Sequence, residues 1–297
     1  MVEISNPNLY FGRSLLLKHV IIFTVVVFEL FSLCAWTQET TAPASDSDFV
    51  TAWWQRSSRA AAEQPFWMAP LFTVTPRLVQ QFRYDMAWQS QGNATTANYG
   101  TGKGLELIPT EHTEILISAP PYVTRTAPGL HDGFGDMTFL FKYRLAAGTE
   151  EHGNYVVTAL LNTTVPTGSY SNGSTHGAFS PTLGLGKGWG DFDIQSTASV
   201  TLPTGNVDIL GTPVGLNATF QYRLFKKFWP EVEVNSTFWT NGKNSGKKQV
   251  FLSPGLVVGR LHLWRRVGFA IGAGVQIAAT SFHTYNHSRV ISVRFPF

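Results

Sequence analysis

Cysteine is all but missing: the single one, Cys34, lies in an apolar N-terminal stretch. Without that stretch the chain has no thiol, which excludes disulfide scaffolds and thiolate metal sites. Charge is scarce as well. Asp, Glu, Lys and Arg make up 14% of the 297 residues, against roughly 25% in soluble domains. The net charge of +3 is small and scattered, so no nucleic-acid partner is expected. Long apolar runs are absent beyond Val20–Leu33, which is broken by Glu29 and is shorter than the ~20 residues of a spanning helix. Preceded by Arg13, Lys18 and His19 and followed by Cys34-Ala35, that run reads as a cleaved export signal over 1–36. Low charge, ordinary hydrophobic content of 43% and no apolar helix suit transmembrane strands, of which only one face is apolar.

What the chain does have is alternation. In Gln80–Trp88, Phe82, Tyr84, Met86 and Trp88 share one face, and Gln81, Arg83, Asp85 and Ala87 the other. Met137–Leu145, Leu216–Leu224 and Val267–Ile277 repeat the scheme. So do the last residues, with Ile291, Val293, Phe295 and Phe297 opposite Ser292 and Arg294. An apolar strand at a soluble edge invites aggregation, whereas a closed barrel in lipid has no edge. Phe295 and Phe297 resemble the assembly signal of bacterial outer-membrane barrels, with Ser292 where glycine is commoner and Val290 where a polar residue is usual.

Twelve strands are expected: 78–90, 99–108, 113–121, 136–146, 154–166, 177–188, 191–202, 214–225, 229–239, 249–262, 267–280 and 287–297. Short connections alternate with longer polar ones such as Gln91–Asn98, Tyr122–Gly135 and Thr167–His176. The fold class is therefore all-β, a transmembrane antiparallel up-and-down barrel over 78–297. Residues 37–77 read as a periplasmic linker, a short amphipathic helix and an extended lead-in. The helix spans Asp48–Ala62, with Phe49, Val50, Trp53, Trp54, Ser57 and Ala61 on one face. Pro65–Pro76 is the proline-punctuated lead-in.

The candidate site is the lumen. Arg83, Asp85, Lys142, Arg144, Asp193, Arg223, Glu231, Glu233 and Arg294 should project inward. They would brace the wall or form a polar constriction. Their mixed signs make a poor single-sign filter. Tyr122, Phe134, Tyr170, Trp239 and Tyr285 fall in the loops, where they would receive an aromatic solute or pack the loops themselves. Gly100–Gly104 and Gly184–Gly188 look phosphate-binding but lack the Ser or Thr of a P-loop, and inner-face glycines relieve crowding instead. The lumen face should tolerate substitution better than the lipid face, so Gly272 should be more permissive than Ile271. Neither His131-Asp132 nor the Thr167–His176 loop offers a nucleophile and base in a recognisable context, so no enzyme, cofactor or metal is expected.

Glu63–Leu78, the segment Gly133-Phe134-Gly135-Asp136-Met137-Thr138 running into Lys142-Tyr143-Arg144, and Val165-Pro166-Thr167-Gly168 resemble a known family. It is the bacterial outer-membrane family named for the meta-pathway of phenol degradation, and the resemblance covers residues 63–297. It implies a single-chain barrel that takes up aromatic or other small hydrophobic solutes, and it carries no catalytic residue. The expected partners are outer-membrane lipid, the barrel-assembly machinery and a small hydrophobic solute. The alternative is a structural or surface-interaction barrel with a plugged lumen.

Overall fold

The computed structural model describes residues 46–297, of which Val50–Phe297 form one compact unit. The expected export signal and most of the linker lie outside the described residues. Helix α1 spans Asp46–Ala62. The wall begins with β1 (Gln81–Gln91), β2 (Ala94–Gly100), β3 (Gly104–Thr110), β4 (Thr113–Ser118), β5 (Tyr122–Arg125) and β6 (Gly133–Phe134). It continues with β7 (Met137–Gly148), β8 (Tyr155–Val165), β9 (Ala178–Trp189), β10 (Phe192–Val200) and β11 (Leu202–Pro203). The one-turn helix α2 (Val207–Leu210) precedes β12 (Pro213–Tyr222), β13 (Phe228–Trp239), β14 (Lys248–Trp264), β15 (Val267–Ala278) and β16 (His287–Pro296).

These strands make a closed antiparallel barrel of 12 staves. β2 with β3, and β4 with β5, each form one interrupted stave. The barrel closes where β16 pairs with β1, from Gln81 opposite Pro296 to Ser90 opposite His287. Short turns gather at one end of the barrel and longer loops at the other. Two connections differ from expectation: Tyr122–Gly135 opens with β5 and closes with β6, which pair with each other, and Gln91–Asn98 is not a loop. Gly92 takes a left-handed φ of 57°, so the chain reverses at once and the wall resumes at Ala94.

The outside of the wall is apolar all round, with Leu183, Leu216, Leu252, Leu256 and Ile271 exposed along its middle. Water would not tolerate such a belt, and a bilayer requires one. Exposed rings border it, with Trp189, Phe225 and Trp264 towards the turns and Tyr122, Phe134 and Phe179 towards the loops.

The main departure from expectation is the lead-in. It was expected outside the barrel; instead residues 64–80 pass through the turn-side half of the lumen. Gln64 marks both entry and exit, donating to Leu78 O at 2.6 Å and accepting from Leu78 N at 2.9 Å. Between those points the segment seeds the core. Met68 and Leu71 pack with Trp229, Val257, Ala270 and Val290. Val74 lies against Leu116, Leu140 and Leu160, and Leu78 against Ala60 and Ile108. The inner-face glycines make the room. A Cβ added at Gly272 would sit 2.7 Å from Leu71 Cδ2, one at Gly274 2.8 Å from Leu71 Cδ1, and one at Gly184 3.0 Å from Pro76 Cβ.

Helix α1 crosses the turn-side mouth. Its buried face is Ser57 and Ala60 with Trp53 and Trp54 half-buried, whereas Phe49, Val50 and Ala61, expected on that face, are exposed. Trp53 Nε1 donates to Ile108 O at 2.8 Å, and Arg144 Nη1 caps the helix by donating to Ala60 O at 2.7 Å.

Lumen positions under the lead-in are therefore not permissive. Ile271→Arg puts a charge against lipid and is expected to cost about 2–4 kcal/mol, read as the denaturant needed to convert the compact gel band. Gly272→Ala is expected to cost about 1–3 kcal/mol by overpacking, with most of that recovered when Leu71→Ala is added. Additive penalties in this double-mutant cycle would mean that Leu71 does not occupy the glycine cradle.

Candidate functional site

An extended segment inside a barrel brings backbone groups that it can satisfy itself only in part, as where Arg77 donates to Trp67 O, and the wall must take the rest. Pro65, Pro70 and Pro76 reduce the demand by lacking N–H groups. Wall cations take the carbonyls. Arg83 Nη1 and Arg294 Nη2 both donate to Pro70 O, each at 3.0 Å. Arg83 Nη2 reaches Leu71 O at 2.7 Å, and Arg294 Nη1 reaches Ala69 O. Lys142 Nζ donates to Arg77 O at 3.0 Å, and Thr158 Oγ1 to Pro76 O at 2.5 Å. Wall carboxylates take the N–H groups. Glu233 accepts from Phe72 N at 2.8 Å on one oxygen and from Thr73 N at 2.5 Å on the other. Glu231 accepts from Leu71 N at 3.0 Å.

The expected lumen residues thus meet around the lead-in more than they meet each other. Asp85 holds Arg83 at 2.7 Å, and Asp193 accepts from Gln195 Nε2 at 3.0 Å. Arg144 ties Ala60 O to Glu63, the latter at 2.7 Å. Arg223 is the exception. It lies just past the end of β12 and pairs with Asp191 and Glu150 of neighbouring turns, both at 2.8 Å, so it is a turn-end residue and not part of the buried network. Several participants were missed, among them Glu106, which accepts from Gln81 Nε2 at 3.2 Å, and Arg77, which donates to Trp67 O. Glu114 pairs with Lys142 at 2.9 Å and accepts from Val79 N at 2.6 Å. Gln195 donates to Met68 O at 2.8 Å. Arg260 donates to Trp67 O at 2.6 Å and lies 3.1 Å from the Phe66 ring centroid.

Towards the loops the inward positions of β12–β15 become neutral. Asn235 accepts from Ser253 Oγ at 3.1 Å and Gln276 Nε2 at 2.9 Å, and donates to Thr73 Oγ1 at 3.2 Å. Tyr285 stacks on Phe251 at 4.5 Å and donates to Gln276 Oε1. Burial pushes its hydroxyl up to about 12, so it stays protonated. The other aromatics expected in loops are also in ring pairs, but Tyr122, Phe134 and Trp239 lie on β5, β6 and the end of β13, and of these four Tyr170 alone is in a loop. Tyr122 meets Phe134 at 5.3 Å, Tyr170 meets His131 at 5.2 Å, and Trp239 meets Phe282 at 5.4 Å.

The glycine-aspartate segment and Val165–Gly168 come together at one loop corner. Asp136 Oδ1 accepts from Gly168 N at 2.9 Å and Oδ2 from Ser174 N at 2.6 Å. Gly168 and Gly173 pack backbone to backbone, where no side chain fits. Beside this corner the ladder is interrupted but the wall stays joined: Thr138 N donates to Ser118 Oγ at 2.7 Å and Gly135 N to Pro121 O at 2.6 Å, so β6 and β7 run on as one stave beside β4 and β5. Pairing of β4 with β7 stops at Ile117 opposite Phe139, and β5 then turns to β2 and β6. Between them come Pro120 and Pro121, which have no N–H to give. At the opposite end Phe295 meets Phe269 at 5.7 Å, and Phe297 meets Trp54 at 5.9 Å and bonds to Gln80.

An outer membrane channel from Pseudomonas putida F1 is similar in fold, with a TM-score of 0.53 at 12% identity, over 77% of this chain and 100% of that one. The NanC porin is a weaker likeness, with a TM-score of 0.49 at 10% identity, over 72% of this chain and 98% of that one. No curated protein sequence matches the chain. Residues 82–286 match the family described as the putative MetA-pathway of phenol degradation. On that match, which spans most of the barrel, the chain belongs to this family.

Proposed function

We propose that the chain is an outer-membrane channel for small, apolar or aromatic solutes, with its loop end facing outwards and the lead-in as its plug. The observation that carries this reading is the change along the lumen. Charges are spent on the lead-in near the turns, and the inward face of β12–β15 is neutral nearer the loops. Such a vestibule holds no single-sign ring to select ions. The plugged turn side favours exit through the wall, and the short interruption of the ladder at Pro120 and Pro121, between the Ile117–Phe139 and Tyr122–Phe134 pairs, is the place for it. We take outer-membrane lipid and the barrel-assembly machinery as its other partners.

A second reading, a structural barrel with a permanently plugged lumen, is favoured by how completely Arg83, Arg294, Glu231 and Glu233 are engaged. Two measurements separate them. As a channel, the refolded protein is expected to show low conductance with weak ion selectivity, and a deletion strain to take up monoaromatic compounds more slowly. Large, selective conductance would make it a general porin. No conductance with unchanged uptake would leave the structural barrel.

Glu233 tests the plug itself. Both of its oxygens accept from lead-in N–H groups, so Glu233→Gln turns one acceptor into a donor facing a donor. The loss is expected to be about 1.5–3 kcal/mol of holding energy, seen as higher conductance and faster proteolysis within residues 64–80. Unchanged conductance and protection would show that the lead-in is held by its apolar contacts alone.

A further inference from the structure

Arg289 sits in surroundings that its charge does not suit. It leaves β16 on the lipid side, in one row with its register partners Trp88 on β1 and Val275 on β15. Among the described residues it has no ion-pair, hydrogen-bond or ring partner. A lone guanidinium on a lipid-facing strand is costly unless it reaches a polar group. Lys187, which also leaves the wall, is held by Gly153 O at 2.5 Å and lies 5.8 Å from the Trp189 ring centroid.

Arg289 borders an open groove of about 740 Å3 on the outside of β1, β16, β15 and β14. Ligand sites commonly measure roughly 300–1,000 Å3. Pro254, Ala273 and Gly274 form a floor where the wall is thin, and Trp88, Val275 and Ile291 stand at its sides. Its polarity is graded along the barrel axis. Ser90, paired with His287 and Thr95, lies one row nearer the loops than Arg289, and the Ile291–Ala273 pair lies one row nearer the middle.

We propose that this groove binds one phosphate-bearing lipid. Its phosphate would pair with Arg289, with the Ser90 and Thr95 hydroxyls beside it, and an acyl chain would lie over Ala273 and Gly274. The charge is complementary, guanidinium suits phosphate geometry, and the polar-to-apolar gradient runs as a lipid does, from headgroup to tail.

The test is native mass spectrometry of the full barrel in detergent, with long-chain phosphatidic acid as the probe. Diacylglycerol with the same chains and inorganic phosphate are the separate arms. The wild-type barrel is expected to retain one phosphatidic acid. Arg289→Ala should bind it about tenfold more weakly, and Ala273→Phe, which fills the floor, should bind it weakly as well. Lys187→Ala should leave binding unchanged, and unheated gel mobility shows that each variant is folded. The proposal is overturned if Arg289→Ala retains the lipid as wild type does, or if Lys187→Ala loses it equally. It is also overturned if diacylglycerol binds as well as phosphatidic acid, or if inorganic phosphate displaces the lipid.

Discussion

An extended segment has few hydrogen bonds of its own, here the Gln64–Leu78 clasp and the bond from Arg77 to Trp67 O. The other carbonyl and N–H groups it carries into the lumen must find partners on the wall. That requirement accounts for features that look unrelated along the chain. It explains why cations face Ala69–Leu71 and carboxylates face Leu71–Thr73. It explains the three prolines, each of which removes a donor that would need an acceptor. Gly255, Gly272 and Gly274 belong to the same account, since they give Leu71 the depth to pack.

The wall was largely legible in the sequence because one rule governs it. Period two assigns faces, and Arg83, Lys142, Glu233 and Arg294 are buried on the inner face as that rule requires. The rule is silent on depth and partner. It could not separate a charge that braces the wall from one that holds a segment from elsewhere in the chain. It placed Arg223 with the lumen set because a strand taken two or three residues too long carries a turn residue inward. Glu114 escaped notice because its inward neighbour Leu116 is apolar, so the strand lacked a clean polar face. Arg260 was hidden by a bulge. The register shifts between Val258 and Leu261, and Arg260 takes a φ of 58°, which turns towards the lumen a side chain that strict alternation sends outwards.

The lead-in was invisible to the same rule. Its sequence has neither helical nor strand period, and an irregular stretch normally lies at the surface, where water satisfies its backbone. Here the wall does so instead. The available sign was indirect: inner-face glycines opposite one another on several staves leave a volume that wall side chains do not fill. The family motifs were easier to see than to interpret. Asp136 and Gly168 meet at a loop corner, where the carboxylate bonds to backbone, so their place is in holding two of the longer loops together.

The Gln64–Leu78 clasp sets the topology of the plug. Both ends of residues 64–78 lie at one mouth, so the segment is folded back on itself like a cork with its string outside, and not threaded from end to end. A threaded strand would require the barrel to open before it could leave. A folded-back segment can withdraw through the mouth it entered while the β1–β16 seam stays closed. A pull on the helix side would act first on the Arg144 contacts to Ala60 and Glu63, then on Gln64, and then on the Trp67 and Met68 carbonyl contacts one after another. Bonds broken in series yield to a smaller force than bonds loaded together, so a lumen this well filled is still open to mechanical release from the turn side.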